Sequence, residues 1–206
     1  TTFFISSERD WKRYADEIVG AGEIKIMKRI NCRQAAIEAC TTKAGTIVGP
    51  LMTEIVGFKE LTPYKGGWAG NEIFADSFTP KLRAKARDLT FKFGEQLRKE
   101  GYRGYFELDF LIDKDTEDMW LGELNPRVTG ASSMTNHAAF AHADAPLFLF
   151  HLLEFMEVDY EINLEAIQAR WSDFDTWSQL ILKQTEDKVE LITRAPSSGI
   201  WRLNDN

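Results

Sequence analysis

Cysteine, histidine and proline are scarce in this chain: two, three and six among 206 residues. Cys32 and Cys40 fit neither a zinc-ligand spacing nor a disulfide framework, and the stretch around them reads as strand. Buried free thiols are expected. His142 and His151 lack acidic neighbours at ligand spacing, which argues against zinc. No GxxxxGK[ST] motif occurs, so a P-loop nucleotidase is excluded. Val19-Gly20-Ala21-Gly22 puts Lys25 where a dinucleotide loop needs its third glycine, and these glycines follow a helical pattern rather than a strand. No apolar run approaches the roughly eighteen residues of a membrane span. The opening Thr1-Thr2-Phe3-Phe4-Ile5 has no charged leader or cleavage site, so a signal peptide is not expected. Long basic tracts are missing too. With a net charge of −7 and a pI near 5.1, nucleic-acid or anionic-membrane partners are disfavoured. A cytoplasmic protein acting on small molecules is the default expectation.

What is present centres on Tyr102 to Gly130. Phe106, Leu108 and Phe110 alternate with Glu107 and Asp109, the period of a half-buried strand with both acids on one face. Asp113 to Asp118 is a polar turn; it fails as a calcium loop because Asp118 and Leu124 replace the required glycine and glutamate. On the following strand Glu123, Asn125 and Arg127 share a face. A hairpin would bring Asp109, Glu123 and Asn125 together as oxygen ligands, with Arg127 just beyond. Such a set suits Mg²⁺ completed by waters and substrate phosphates, with Mn²⁺ as the alternative ion.

An acidic strand residue followed, about a dozen residues on, by Glu123-Leu124-Asn125-Pro126-Arg127 resembles the metal-binding end of the ATP-grasp superfamily. The approach through Gly101-Tyr102-Arg103-Gly104 resembles its biotin carboxylase-like members. The resemblance implies an ATP- and Mg²⁺-dependent ligase that activates a carboxylate as an acyl-phosphate for attack by an amine or similar nucleophile. It implies Asp109, Glu123 and Asn125 as metal ligands and Arg127 as the cation meeting the developing anion. By position, Met27-Lys28-Arg29-Ile30 would be the hinge that reads adenine, with Lys25 or Lys28 near phosphate. Two alternatives stay open: biotin carboxylase-type carboxylation, or a degenerate nucleotide-binding module without catalysis. Against the first, no acid lies between Glu123 and Asp144, where biotin carboxylases carry a catalytic glutamate. A homodimer is among the partners that the family implies.

The remaining chain completes the expectation. Ser6 or Ser7 caps a helix carrying Trp11, Tyr14, Ala15 and Ile18, and Glu23 to Ile30 reads as a strand. Lys43-Ala44-Gly45 signals a hairpin. Thr62 to Asn71, dense in turn residues, suits a mobile loop over a site. Thr79-Pro80 starts and Gly101 ends the clearest helix; its Lys81, Arg83, Lys85, Arg87, Lys92 and Arg98 read as a solvated outer face. Val128 to His137 could line an acceptor pocket, with His137 as a candidate general base. Helices are expected over Leu147 to Met156 and Asn163 to Ser172, and a hairpin from Trp177 to Arg194 whose Lys183 could meet substrate. The order of elements is α+β. The ATP-grasp fold implies two α+β lobes gripping nucleotide, placed here at 1–75 and 76–206. The N-terminal domain that precedes them in the family is not visible in this chain.

Overall fold

The computed structural model describes residues 3–63, 66–183, 188, 189, 191, 193 and 194. They divide into two compact units, one ending at Asn31 and one beginning at Cys32.

In the first unit, helix α1 (Glu8–Gly20) begins where expected: Ser7 Oγ accepts the Asp10 N–H at 3.2 Å. The Asp10 carboxylate in turn accepts from Ser6 Oγ, Ser6 N–H and Ser7 Oγ, which hold it down at about 2. Phe3 packs on Tyr14, with ring centroids 4.9 Å apart. The strand expected over Glu23 to Ile30 is absent; residues 24–31 have no regular structure. A strand needs a hydrogen-bonded neighbour, and this segment pairs with none among the described residues, leaving Ile26 86% exposed.

The second unit is built on a sheet whose centre is β1 (Cys32–Thr42). β1 turns through Lys43-Ala44 into β2 (Gly45–Val48), as anticipated, with Thr42 Oγ1 accepting both Ala44 and Gly45 N–H at 3.2 Å. β3 (Met52–Val56) and β4 (Trp68–Ile73) follow. Helix α2 (Pro80–Lys99) starts at Thr79, whose Oγ1 accepts the Leu82 N–H, and ends before Gly101 at φ +90°. β5 (Gly104–Asp113) and β6 (Met119–Asn125) form the expected hairpin. Helices α3 (Ser132–Ala141), α4 (Leu147–Phe155) and α5 (Leu164–Ser172) precede β7 (Trp177–Leu180). All pairings are antiparallel, in the order β6-β5-β1-β3-β4-β7 with β2 beside β1.

The two sheet faces bury different helices. Ala35, Ile37, Phe106, Leu108 and Phe110 pack with Leu82 and Ala86 of α2. Cys40, Ile47 and Tyr105 pack on the opposite face with Ala138, Leu147, Phe150 and Trp171, from α3, α4 and α5. Both cysteines are free thiols; Cys40 is buried, as expected, whereas Cys32, at the start of β1, is only half-buried.

Two expectations change. The division at 75/76 falls inside one sheet, because β1 pairs with β5 and β4 with β7 across it. The loop expected from Thr62 to Asn71 is strand from Trp68 onward. Gly70, read as a turn residue, instead permits close strand approach: a Cβ there would lie 1.9 Å from Gln179 O. Val128 to His137, the expected pocket lining, includes the start of α3. The second strand of the hairpin expected from Trp177 to Arg194 is not seen at the described residues 188, 189, 191, 193 and 194, while Tyr64, Lys65, residues 184–187, 190 and 192, and the closing Ala195 to Trp201 lie outside the described residues.

Candidate active site

Asp109 sits on β5 directly opposite Glu123 of β6, and Glu107 directly opposite Asn125. Opposed residues of an antiparallel pair share a face, so the four polar groups form one row. The alternation that predicts this is broken once. A bulge at Gly122 lets Asp109 pair with Glu123 but Phe110 with Leu121, so Leu121 turns to the face opposite Glu123.

Asn125 Nδ2 donates to Asp109 Oδ2 at 3.2 Å, and Arg127 donates through a terminal nitrogen to Asn125 Oδ1 at 3.1 Å. Two of the three expected metal ligands, Asp109 and Asn125, and the expected cation are thus joined in one hydrogen-bonded chain. Asp109 Oδ1 is buried without a hydrogen-bond partner. Burial, then repulsion from Glu123, pushes this carboxyl up to about 6, against the pull of Asn125 and Arg127.

Two further acids come from strands remote in sequence. β1 places Glu38 opposite Glu107 and Ala36 opposite Asp109; β3 pairs Met52 with Ala36, so Glu54 lies on the same face. Burial pushes Glu54 up to about 7, with Asp109 and Glu123 adding repulsion. Burial pushes Glu107 up to about 8, with Glu38 first among the repelling charges. Glu107 meets the hydroxyl of Thr129 at 3.0 Å. No basic side chain forms a salt bridge with it among the described residues.

Glu38 is fully buried and accepts from four hydroxyls: Thr129 at 2.9 Å, Tyr105 at 3.1 Å, Ser132 and Thr135. Burial pushes this carboxyl up and the hydroxyls pull it back. The segment after Arg127 is thereby tied to the sheet. Gln179 Nε2 holds the same segment from β7, donating to Gly130 O at 2.8 Å, and the Trp68 ring lies so close to Gly130 that a Cβ would clash at 2.4 Å.

His137 is on the exposed side of α3, its Nδ1 2.6 Å from Ser133 O of its own helix. Lys183 donates its ammonium to Trp68 O and stands 5.5 Å from the Trp68 ring centroid. Lys25, Met27, Lys28, Arg29 and Ile30 belong to the first unit, where the Arg29 guanidinium lies 5.5 Å from the Phe4 ring centroid. Glu38 and Glu54 were not anticipated. The alternation of Glu38 with Ile37 and Ala39 is a visible polar interruption in an apolar run, the signal that could have found it.

Among the described residues no three His, Cys, Asp or Glu side chains can hold a metal ion by themselves. Two carboxylates and an amide do fit Mg²⁺ that keeps waters and takes phosphate oxygens, and the unpartnered Asp109 Oδ1 is the acceptor such an ion would satisfy.

In sequence, no family model and no curated protein matches the chain. Solved structures do match in fold. The N5-carboxyaminoimidazole synthetase of Staphylococcus aureus complexed with ADP is 14% identical, with a TM-score of 0.57 over 78% of this chain and 39% of its own. The N5-carboxyaminoimidazole ribonucleotide synthetase of Thermus thermophilus is 17% identical, with a TM-score of 0.56 over 75% and 39%. Biotin carboxylase of Campylobacter jejuni, solved as a β-γ-ATP complex, is 14% identical, with a TM-score of 0.53 over 77% and 33%. The chain spans well under half the length of these proteins. It has the ATP-grasp, biotin carboxylase-like fold.

Proposed function

We propose that this chain is the catalytic part of an ATP- and Mg²⁺-dependent ligase that joins a carboxylate to an amine or similar nucleophile. The observation that carries this reading is the polar row of the β5–β6 hairpin, where Asp109, Glu123 and Asn125 converge around an unpartnered carboxylate oxygen. Asp109, Glu123 and Asn125 would hold the ion. When bound, Mg²⁺ supplies charge neutralisation across the nucleotide phosphates, and phosphoryl transfer depends mainly on such neutralisation and on positioning.

The substrate carboxylate oxygen attacks the terminal phosphorus and ADP leaves; the amine then attacks the acyl carbon and phosphate leaves. Arg127, beyond Asn125, meets the anion that forms. Lys25, Met27, Lys28, Arg29 and Ile30 are the proposed nucleotide contacts by position in sequence. The solved relatives with ADP or an ATP complex support nucleotide as the ligand class. His137 is the proposed general base: its Nδ1 lies 2.6 Å from Ser133 O, which leaves Nε2 for the proton. A cytoplasmic setting, small-molecule partners and a homodimer complete the proposal.

Calorimetry of MgATP and MgADP binding tests it, with Glu123→Gln beside the unaltered chain and with upstream sequence restored. Magnesium-dependent binding that Glu123→Gln abolishes is expected. Absence of binding in the extended protein would overturn the ligase reading, and binding without ligase turnover would favour a nucleotide-binding module.

A further inference from the structure

The basic residues of α2 do not all form a solvated outer face. Arg83 and Arg87, one turn apart on the helix, line a cleft of about 300 Å³ together with Pro50, Phe74, Pro80 and Phe174. The cleft runs along α2, the helix that covers the sheet face opposite the acidic row. The two arginines differ in how they are satisfied. Arg87 donates to the carbonyls of Val48, Gly49 and Gln168, with Asp173 nearby, and burial pulls its guanidinium down to about 10. The Arg83 side chain has neither a hydrogen bond nor an ion pair among the described residues, and its Nε is buried. Asp175, next in sequence to Phe174, accepts the N–H groups of Ala75 and Thr176 on Oδ1.

A buried guanidinium nitrogen without an acceptor costs free energy unless something supplies one. Here the missing partner is an anion, and the remaining walls are apolar and partly aromatic. The volume is at the lower end of small-molecule sites. We propose that this cleft binds a small organic anion with a flat apolar body, its carboxylate or phosphate on Arg83 and its body between Phe74, Pro80 and Phe174. The site is separate from the Asp109 row and does not depend on the ligase reading.

Titration of the full chain with benzoate, phenyl phosphate, benzamide and inorganic phosphate, followed by calorimetry and saturation-transfer NMR, tests this. One ringed anion should bind, and the tighter of benzoate and phenyl phosphate identifies the head group. Neutral benzamide should bind roughly tenfold more weakly or not at all, since a charge-assisted hydrogen bond is lost. Arg83→Met should weaken the anion about tenfold without lowering Tm, because the Arg83 side chain makes no intramolecular hydrogen bond. Ala84→Trp, at an exposed lining position, should fill the cleft and give the same loss independently. Asp109→Asn should leave the binding unchanged. The proposal is overturned if neither ringed anion binds at millimolar concentration, or if both cleft variants leave binding intact. Inorganic phosphate binding as tightly as phenyl phosphate would also overturn it, since the apolar walls would then contribute nothing.

Discussion

Thr129 Oγ1 stands between two carboxylates, 2.9 Å from Glu38 Oε1 and 3.0 Å from Glu107 Oε2. A hydroxyl carries one proton and can donate to only one of them. Two acids that face each other across β1 and β5 are therefore bridged through the loop that follows Arg127, and that loop is fixed by the bridge.

Glu38→Ala should be among the most damaging single substitutions. It leaves the buried hydroxyls of Tyr105, Ser132 and Thr135 without their common acceptor. A loss of roughly 3 kcal/mol in urea unfolding is expected. Glu38→Gln keeps one oxygen acceptor and should cost less. Equal losses for the two would show that the intact carboxylate, rather than side-chain volume or a single acceptor oxygen, decides this position.

Asp109→Asn should separate stability from function. It removes one charge from a row that also holds Glu54, Glu107 and Glu123, so the ligand-free chain should gain about 1 kcal/mol at pH 8 in thermal unfolding. The same substitution should abolish magnesium-dependent nucleotide binding. A variant both less stable and fully able to bind would contradict the assignment of Asp109.

Asp144 gives a pH dependence away from the row. Burial would raise its carboxyl, but Arg170, at 2.6 and 3.0 Å, and the Ala145 N–H outweigh this and hold it below the usual range. Its folded pKa is depressed, so the unfolded chain binds the proton more readily. The contribution is present above the unfolded value of about 4 and lost as pH falls below it. Arg170 is half exposed, which limits the effect to about 1 kcal/mol. The stability difference between the unaltered chain and Asp144→Asn should shrink between about pH 5 and pH 3. A constant difference would assign the role to packing.

Gly70→Ala should detach the sheet edge. The residue has φ +146°, and an added Cβ would meet the Gln179 carbonyl oxygen. A cost of roughly 3 kcal/mol is expected, with amide protection lost at residues 177–180 in hydrogen exchange. Protection that persists would mean that β7 can shift and pair again.

Part of this site is local in origin and could be read from consecutive residues. Period-2 alternation over Phe106 to Phe110, the polar turn from Asp113, and Glu123-Leu124-Asn125 require a hairpin with acids on one face, whatever surrounds it. The caps of α2, Thr79-Pro80 and Gly101, work within one helical turn and were equally legible. The bulge at Gly122 was not, because alternation predicts faces only where the two strands keep step.

The rest depended on partners remote in the chain. Trp68 to Ile73 carries turn-forming glycines, and only its pairing with β3 and β7 makes it strand. Residues 24–31 have strand-like alternation but no pairing neighbour among the described residues, and so remain irregular. Arg83 and Arg87 read as solvated because charge at helical spacing is the same for a surface and a cleft. By itself, then, the sequence determined the β5–β6 hairpin, its oxygen-rich face and the capped helix that leads into it, since each rests on backbone geometry over neighbouring residues. The tertiary structure decided that Glu38 and Glu54 join that face and that Thr129 ties the Arg127 segment down. It did so because strand register across β1, β3 and β5 is set by packing of the whole sheet, which no local window contains.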